Sequence, residues 1–261
     1  MWNFKKISES IRENGYYEFE KYLTSKDLKN IKKSLVDSLN YIKNSKEKNL
    51  QKKYYEIKKY NNKLKGNWYD ISKYNVDLLK ILHKKEMIDF VKKFFNSKVV
   101  FSGRPAIHVH DKTNDRNLLP HQETNQFAAY TLGLWVPIFD TNQKTGGLTV
   151  YEKSHLNGFY QHTLKPPISF RKKKLWTNKF TNIDQKIYKK FKKKNLNVKQ
   201  GNAVIFLSSL IHCSFKNKDG KSVRIVITER FNPLKKLPYL KNIKAPIKIP
   251  YVGVDLNSIK D

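Results

Sequence analysis

Apolar residues recur along this chain with two different periods, and the change from one to the other divides it. Between residues 25 and 42, Leu28, Ile31, Leu35, Leu39 and Ile42 return every three or four positions, the spacing that gathers side chains on one face of an α-helix. Thr24, with Asp27 three residues on, supplies the start signal of that helix. A second helical pattern covers about Val76 to Phe95, with Leu79, Leu82, Ile88, Val91 and Phe95 on one buried stripe. After it the period shortens. Val99 to His110, Ala128 to Ile138, Leu148 to Tyr151, Ala203 to Leu207 and Val223 to Phe231 are rich in β-branched and aromatic residues and read as strands. Gly146-Gly147, Gly201-Asn202 and Lys218-Asp219-Gly220 mark turns between them, and Asn14-Gly15 marks another ahead of a short strand through Tyr16, Tyr17 and Phe19. Residues 44–67 are polar, lysine-rich and weakly periodic, and read as a long loop or frayed helix positioned to lie over an active site. Helices followed by a run of short strands predict an α+β, mainly β fold with a β-sandwich or jelly-roll core.

Composition narrows this picture. A chain of 261 residues with 39% apolar and 13% aromatic positions can bury one sizeable core, so a single domain is expected: a helical N-terminal decoration over 1–98, a β core over 99–232 and a C-terminal extension over 233–261. The formal charge of +31 would ordinarily suggest nucleic acid. Here the excess is almost all lysine, spread along the chain as a strongly AT-biased coding sequence would spread it, and arginine, the better phosphate fork, is scarce. Nucleic-acid binding is therefore not expected, and the dense runs Arg171 to Lys174 and Lys189 to Lys194 read as a solvated face or loop. No stretch approaches the roughly 20 apolar residues of a membrane span, and the first residues lack the apolar core of a secretory signal. The single cysteine, Cys213, permits no intrachain disulfide. A cytoplasmic location is the expectation.

Two segments carry candidate chemistry. In His121-Gln122-Glu123 the two potential ligands stand two residues apart, so on an extended backbone both face the same way. His212, after the apolar strand Ala203 to Leu207, supplies a third. Two imidazoles and one carboxylate on one side of a metal leave open positions opposite, the arrangement of non-haem iron(II) oxygenases. A His-X-Glu also occurs by chance in surface loops, so the triplet alone leaves that reading open. Arg224 opens a core strand, and a buried guanidinium requires an anionic partner: the carboxylate of a co-substrate, or equally a structural Asp or Glu.

These residues resemble the phytanoyl-CoA dioxygenase family of iron(II)/2-oxoglutarate oxygenases. The resemblance runs from Asn14-Gly15-Tyr16 through Pro120-His121-Gln122-Glu123, residues 135–140 (Trp-Val-Pro-Ile-Phe-Asp), Gly146-Gly147-Leu148 and Ser154-His155 to the region of His212 and Arg224; residues 44–100 and 165–195 contribute little. It implies a double-stranded β-helix (jelly-roll, cupin-like) core with N-terminal helices packed on one side. It further implies that His121, Glu123 and His212 bind Fe(II), that Arg224 grips the distal carboxylate of 2-oxoglutarate, and that Ser214, Trp135 and His108 contact or wall the same co-substrate. Arg104, Ala106, His108 and His110 share one strand face by alternation. Dioxygen is the second co-substrate and a small molecule the implied substrate; the basic surface and lysine-rich loops favour an anionic one, such as a nucleotide-linked sugar or an acyl-CoA ester. A silent jelly-roll binding module and a non-oxidative cupin-type metalloenzyme are the alternatives.

Three positions depart from the family's pattern. Glu123 stands where Asp is commoner, Val226 stands two after Arg224 where wider relatives carry serine, and Glu152-Lys153 replaces the Pro-Gly before Ser154-His155. Retention of a carboxylate at 123 argues against a halogenase. His155 is expected to make structural hydrogen bonds, His83 and His162 to lie on the surface, and Cys213 to be a small buried apolar residue turned away from the site.

Overall fold

The computed structural model describes residues 2–61, 63–72, 74–98, 100–102, 105–112, 119–123, 131–160, 183–214, 217–219 and 222–233. Arg104, His162, the run 171–174 and the expected extension beyond Pro233 lie outside the described residues.

The N-terminal part is helical. Helix α1 (Phe4–Asn14), which the apolar pattern does not predict, is capped by the Asn3 side chain accepting from the Lys6 N–H. It ends at Gly15, whose φ of 92° suits glycine. A Cβ at that position would stand 2.5 Å from Leu210 Cδ1 and 2.7 Å from His155 Nδ1, so packing excludes a side chain there as well. Strand β1 (Tyr16–Phe19) follows at once. Helix α2 (Ser25–Ile42) begins with both hydrogen bonds of the capping box between Thr24 and Asp27, and buries Ile31, Leu35 and Leu39 completely. Leu28 and Ile42 pack at the margin of the same cluster.

Two of the sequence expectations are refined in this part. Of the two readings of residues 44–67, long loop or frayed helix, the helical one describes much of the segment, and its helices are packed: helix α3 (Leu50–Lys58) and the first turn of α4 (Leu64–Ser72) fall inside it. Tyr54, Ile57, Leu64 and Trp68 are essentially inaccessible, so a narrow apolar row anchors helices whose remaining positions are mostly polar. The pattern over 76–95 is two helices, α5 (Val76–Leu82) and α6 (Lys85–Phe95), separated at His83-Lys84. The buried rows are Leu78, Ile81 and Leu82, then Met87, Phe90 and Val91. The gap from Leu82 to Met87 exceeds the helical repeat, so one straight helix could not aim both rows at the core, and Leu79 is left only half-buried.

The strands form two antiparallel sheets. The larger contains β1, β2 (Val100–Ser102), β3 (Ala106–His110), β4 (Leu132–Pro137), β7 (Ala203–Leu207) and β9 (Arg224–Pro233), in the order β1-β7-β4-β9-β2 with β3 also on β9. The long β9 pairs with β4 along one edge and with β3 and then β2 along the other. The smaller sheet has the order β6-β5-β8, from β5 (Leu148–Tyr151), β6 (Lys193–Leu196) and β8 (His212–Ser214). A short helix α7 (Gln185–Tyr188) precedes β6. Part of the lysine run 189–194 is therefore an edge strand with Lys193 and Lys194 exposed.

Alternation along the larger sheet sorts its side chains between two cores. Trp135, Val204, Phe206 and Val226 meet Leu148, Val150 and Leu196 of the smaller sheet, whereas Leu134, Val136, Ile205, Ile225 and Ile227 meet the helices. Covered on both faces, β4 and β7 read as continuous apolar runs. The helical layer is tied down at Asp111, fully buried at the end of β3. It accepts hydrogen bonds from Tyr54 Oη (2.6 Å) and Lys58 Nζ (2.7 Å), with Lys65 Nζ at 3.3 Å.

The buried row on α3 and α4 has a measurable consequence. Trp68→Ala is expected to lower unfolding stability in urea by about 3–5 kcal/mol. A change within about 0.5 kcal/mol would be the result for an exposed loop.

Candidate metal centre

The centre is assembled by backbone pairing. His121 and His212 form a two-way bridge, His121 N–H to His212 C=O and His212 N–H to His121 C=O, each 3.0 Å. This places residue 121 beside β8, at the edge of the smaller sheet. Two residues on, the Glu123 N–H donates to the Ser208 carbonyl at 2.9 Å, fastening the segment to the turn after β7. Gln122 points the other way, donating to the carbonyls of Gly158 and Ser209 and accepting from the Tyr160 N–H. The expectation that His121 and Glu123 share a face is met: donor atoms of His121, Glu123 and His212 all lie within 4.8 Å of one another.

Both imidazoles are held in one orientation. His121 Nδ1 lies 2.6 Å from the Leu119 carbonyl and His212 Nδ1 lies 2.9 Å from the Leu210 carbonyl. A carbonyl only accepts, so each Nδ1 carries the proton and each Nε2 presents a lone pair. These Nε2 atoms stand 3.9 Å (His121) and 3.5 Å (His212) from Glu123 Oε1. Ligands at about 2.1 Å from one metal lie roughly 3 Å apart when adjacent, so a small contraction would complete the site. Behind His212 packs the ring of Phe206, at 4.6 Å between centroids. Phe206 has room because residue 133 opposite is glycine: a Cβ there would come within 2.9 Å of the ring.

A pocket between the sheets opens beside these donors. His108, His110, Trp135, Ser214, Arg224, Thr228 and Arg230 line it together with Glu123 and His212. Arg224 is 3% exposed; its Nη1 donates to the Gly146 carbonyl at 2.7 Å, and its Nε has no partner. Burial pulls its pKa down to about 9. A buried guanidinium with an unused donor is a cationic cradle of the kind a carboxylate fills. His108 and His110 project from β3 beside it. Burial, with Arg230 adding to it, takes His108 down to about 3, and burial with Arg224 takes His110 well below its usual value. Both are neutral at neutral pH. The ring of Tyr69 on α4 meets His108 edge-on at 5.9 Å, so the helical layer reaches the pocket wall.

Sequence reasoning missed two residues here. Arg230 approaches Glu123, Nη2 at 3.1 Å from Oε1 and Nε at 3.4 Å from Oε2, and its Nη1 donates to Thr228 Oγ1 at 2.8 Å. Burial works against the Glu123 carboxylate, but the cationic surroundings, Arg230 foremost, hold it well below the usual range. The available signal was alternation: 224, 226, 228 and 230 share one face of β9. His83, expected at the surface, is half-buried and lies 2.8 Å from the buried Glu229 on the opposite face. His155 is buried, with Nε2 2.8 Å from the Arg12 carbonyl, as a structural histidine would be. Cys213 packs with Tyr151 and Ile211, and burial pushes its thiol up to about 11, so it is a poor nucleophile. Among the described residues no helix is long and apolar enough to cross a membrane.

Solved structures with this fold include enzymes crystallised with the cofactors in question. The epimerase SnoN in complex with Fe3+, alpha ketoglutarate and nogalamycin RO is 11% identical, covering 95% of this chain and 92% of its own, with a TM-score of 0.62. EctD from S. alaskensis with 2-oxoglutarate and 5-hydroxyectoine is 11% identical over 90% of this chain and 77% of its own, at a TM-score of 0.63. The non-heme alpha ketoglutarate dependent carbocyclase SnoK is 14% identical over 87% of this chain and 83% of its own, at 0.61. At these identities the likeness is one of fold, the cupin-like double-stranded β-helix with added helices. No curated protein matches the chain by sequence. The family model of phytanoyl-CoA dioxygenase (PhyH) matches residues 11–226, most of the chain, which therefore belongs to that family and is of the iron/2-oxoglutarate-dependent oxygenase kind.

Proposed function

We propose that the protein is an iron(II)/2-oxoglutarate-dependent dioxygenase that hydroxylates a small molecule, with His121, Glu123 and His212 as the iron ligands. The observation that carries the reading is the convergence of one carboxylate oxygen with two Nε2 lone pairs, each fixed by a carbonyl on the opposite ring nitrogen. The donor set, two imidazoles and one carboxylate, suits Fe(II) and leaves positions open for 2-oxoglutarate and dioxygen. When bound, these groups supply an oxidation in which 2-oxoglutarate becomes succinate and carbon dioxide and a substrate C–H becomes C–OH.

The chain's own residues bind, orient and exclude water. Arg224, with its free Nε, takes the distal carboxylate of 2-oxoglutarate, and Ser214 supplies a hydroxyl beside it. Trp135 walls the co-substrate from the larger sheet and His108 faces it as a neutral imidazole. Phe206 keeps His212 from turning. A silent binding module or a non-oxidative cupin-type metalloenzyme would have no use for the orphaned donor of Arg224. The strongly basic composition favours an anionic substrate class, a nucleotide-linked sugar or coenzyme A ester among the candidates.

Anaerobic titration of the protein with Fe(II) and 2-oxoglutarate tests the assignment. A visible absorption band that appears only with both components is expected, and Arg224→Ala should weaken 2-oxoglutarate binding at least about 30-fold, as loss of one member of a buried charged pair does. Iron bound with no such band would favour the non-oxidative reading, and no iron bound would end the proposal.

The neutral imidazoles add a pH dependence. An imidazole with a lowered folded pKa binds fewer protons than in the unfolded chain, so its contribution is intact above about pH 6.5 and is lost as the pH falls toward its folded value. For His108 that window runs down to about 3, and its upper part, above about pH 5, lies clear of the range in which carboxylates such as Glu123 begin to matter. Unfolding stability should fall by about 1 kcal/mol per pH unit per imidazole between about pH 6 and 5. In His108→Asn the slope should be shallower; an unchanged slope would mean that His108 is charged in the folded protein.

A further inference from the structure

The proposed iron site contains a cation that the ligand set itself does not require. Arg230 lies along the Glu123 carboxylate with one nitrogen on each oxygen, and its remaining nitrogen is fixed by Thr228 Oγ1. Glu123 Oε1 is the oxygen that also approaches His121 and His212; Oε2, against Arg230 Nε, is turned out of that group. A glutamate has one more rotatable bond than the aspartate commoner at this position, so its carboxylate can swing away from a metal or present both oxygens to it. The backbone on either side is already fixed, His121 by its bridge and Glu123 by Ser208, which leaves the side-chain torsions as the remaining freedom.

We infer that Arg230 is a positioning residue: it clamps Glu123 as a one-oxygen ligand, holding Oε2 so that the metal's other positions stay available for co-substrates. This rests on the iron-site reading above. Thr228 acts one step further out, orienting the guanidinium. The clamp works against a simple electrostatic expectation. A guanidinium beside the site repels a divalent ion, so if charge alone mattered its removal would tighten metal binding. Positioning predicts the opposite sign.

Titration of the full chain with Co(II), followed by calorimetry and by the metal's visible spectrum, separates these outcomes. In Arg230→Met the Kd should rise about 10-fold or more, the usual scale for losing a group that orients a metal ligand, and the spectrum should change as the carboxylate changes its mode. Arg230→Lys keeps the charge but not the two-pronged geometry, so its Kd should stay within about 3-fold of that of Arg230→Met. Thr228→Val should shift in the same direction by less. An unchanged or tighter Kd in Arg230→Met overturns the inference, as does a wild-type Kd in Arg230→Lys. If Arg230→Met does not fold, judged by the thermal melt of the metal-free protein, Arg230→Lys and Thr228→Val decide: weakened binding in both supports the clamp, and wild-type binding in either overturns it. Glu123→Ala distinguishes the two levels of the argument. Wild type that binds no Co(II), or Glu123→Ala that binds it unchanged, sinks the metal site and the clamp together; binding lost in Glu123→Ala but untouched in Arg230→Met sinks the clamp alone.

Discussion

Two backbone hydrogen bonds, exchanged between His121 and His212, are the constraint on which the centre depends. They join a segment that precedes β4 to a strand that follows β7, and so bring together residues far apart in the chain. Because the two residues are directly paired, their side chains leave the sheet on the same side, and their rings come within 4.4 Å. The carbonyls of Leu119 and Leu210, each two residues before its histidine, then select the tautomer. Pairing geometry and ring orientation are thus set by the same short stretches of backbone, and the donor set is preorganised without any metal.

The layers around that bridge give the site its dielectric. On one side stands the larger sheet, backed by helices whose apolar rows seal its far face; on the other stands the smaller sheet. The pocket between them is lined by polar groups in an otherwise apolar interior, which is why the shifts there are large: His110 is kept neutral, burial pulls Arg224 down while leaving it charged, and Glu123 is held well below the usual carboxylate range by the cations facing it. Asp111, buried one residue beyond β3, repeats the principle at the boundary with the helices, where Tyr54 and two lysines satisfy a carboxylate that the helical layer would otherwise leave dry.

Legibility followed the number of buried faces. Strands β4, β5 and β7, buried along their whole length, stand out in the sequence, as does α2 with its capping box. Helices α3 and α4 did not, because Tyr54, Ile57, Leu64 and Trp68 make one narrow row among lysines and asparagines, and the row is interrupted between the two helices. Strand β6 was hidden for the opposite reason: an edge strand needs no apolar face, and its lysines look like a loop. Within the site, spacing brought out His121 and Glu123, and the buried arginine opening β9 drew notice to Arg224. Arg230 and the pairing of His83 with Glu229 depend on which face of β9 each residue takes, and alternation from Arg224 assigns both: even-numbered positions enter the pocket, odd-numbered ones meet the helices.

That alternation also fixes the charge of the site. Glu229, the one carboxylate of β9, turns its side chain to His83 on the helical side although it also borders the pocket, so among the described lining Arg224 and Arg230 stand with Glu123 and Glu229, and His108 and His110 are neutral. The two guanidiniums are thus matched in number, but Glu123 faces Arg230 and Glu229 faces His83, which leaves Arg224 with the Gly146 carbonyl and an unused Nε. In a low-dielectric cleft an uncompensated charge is costly. A carboxylate brought by the co-substrate would remove that cost. The proposal that Arg224 takes a carboxylate of 2-oxoglutarate therefore rests on the pocket's own strands.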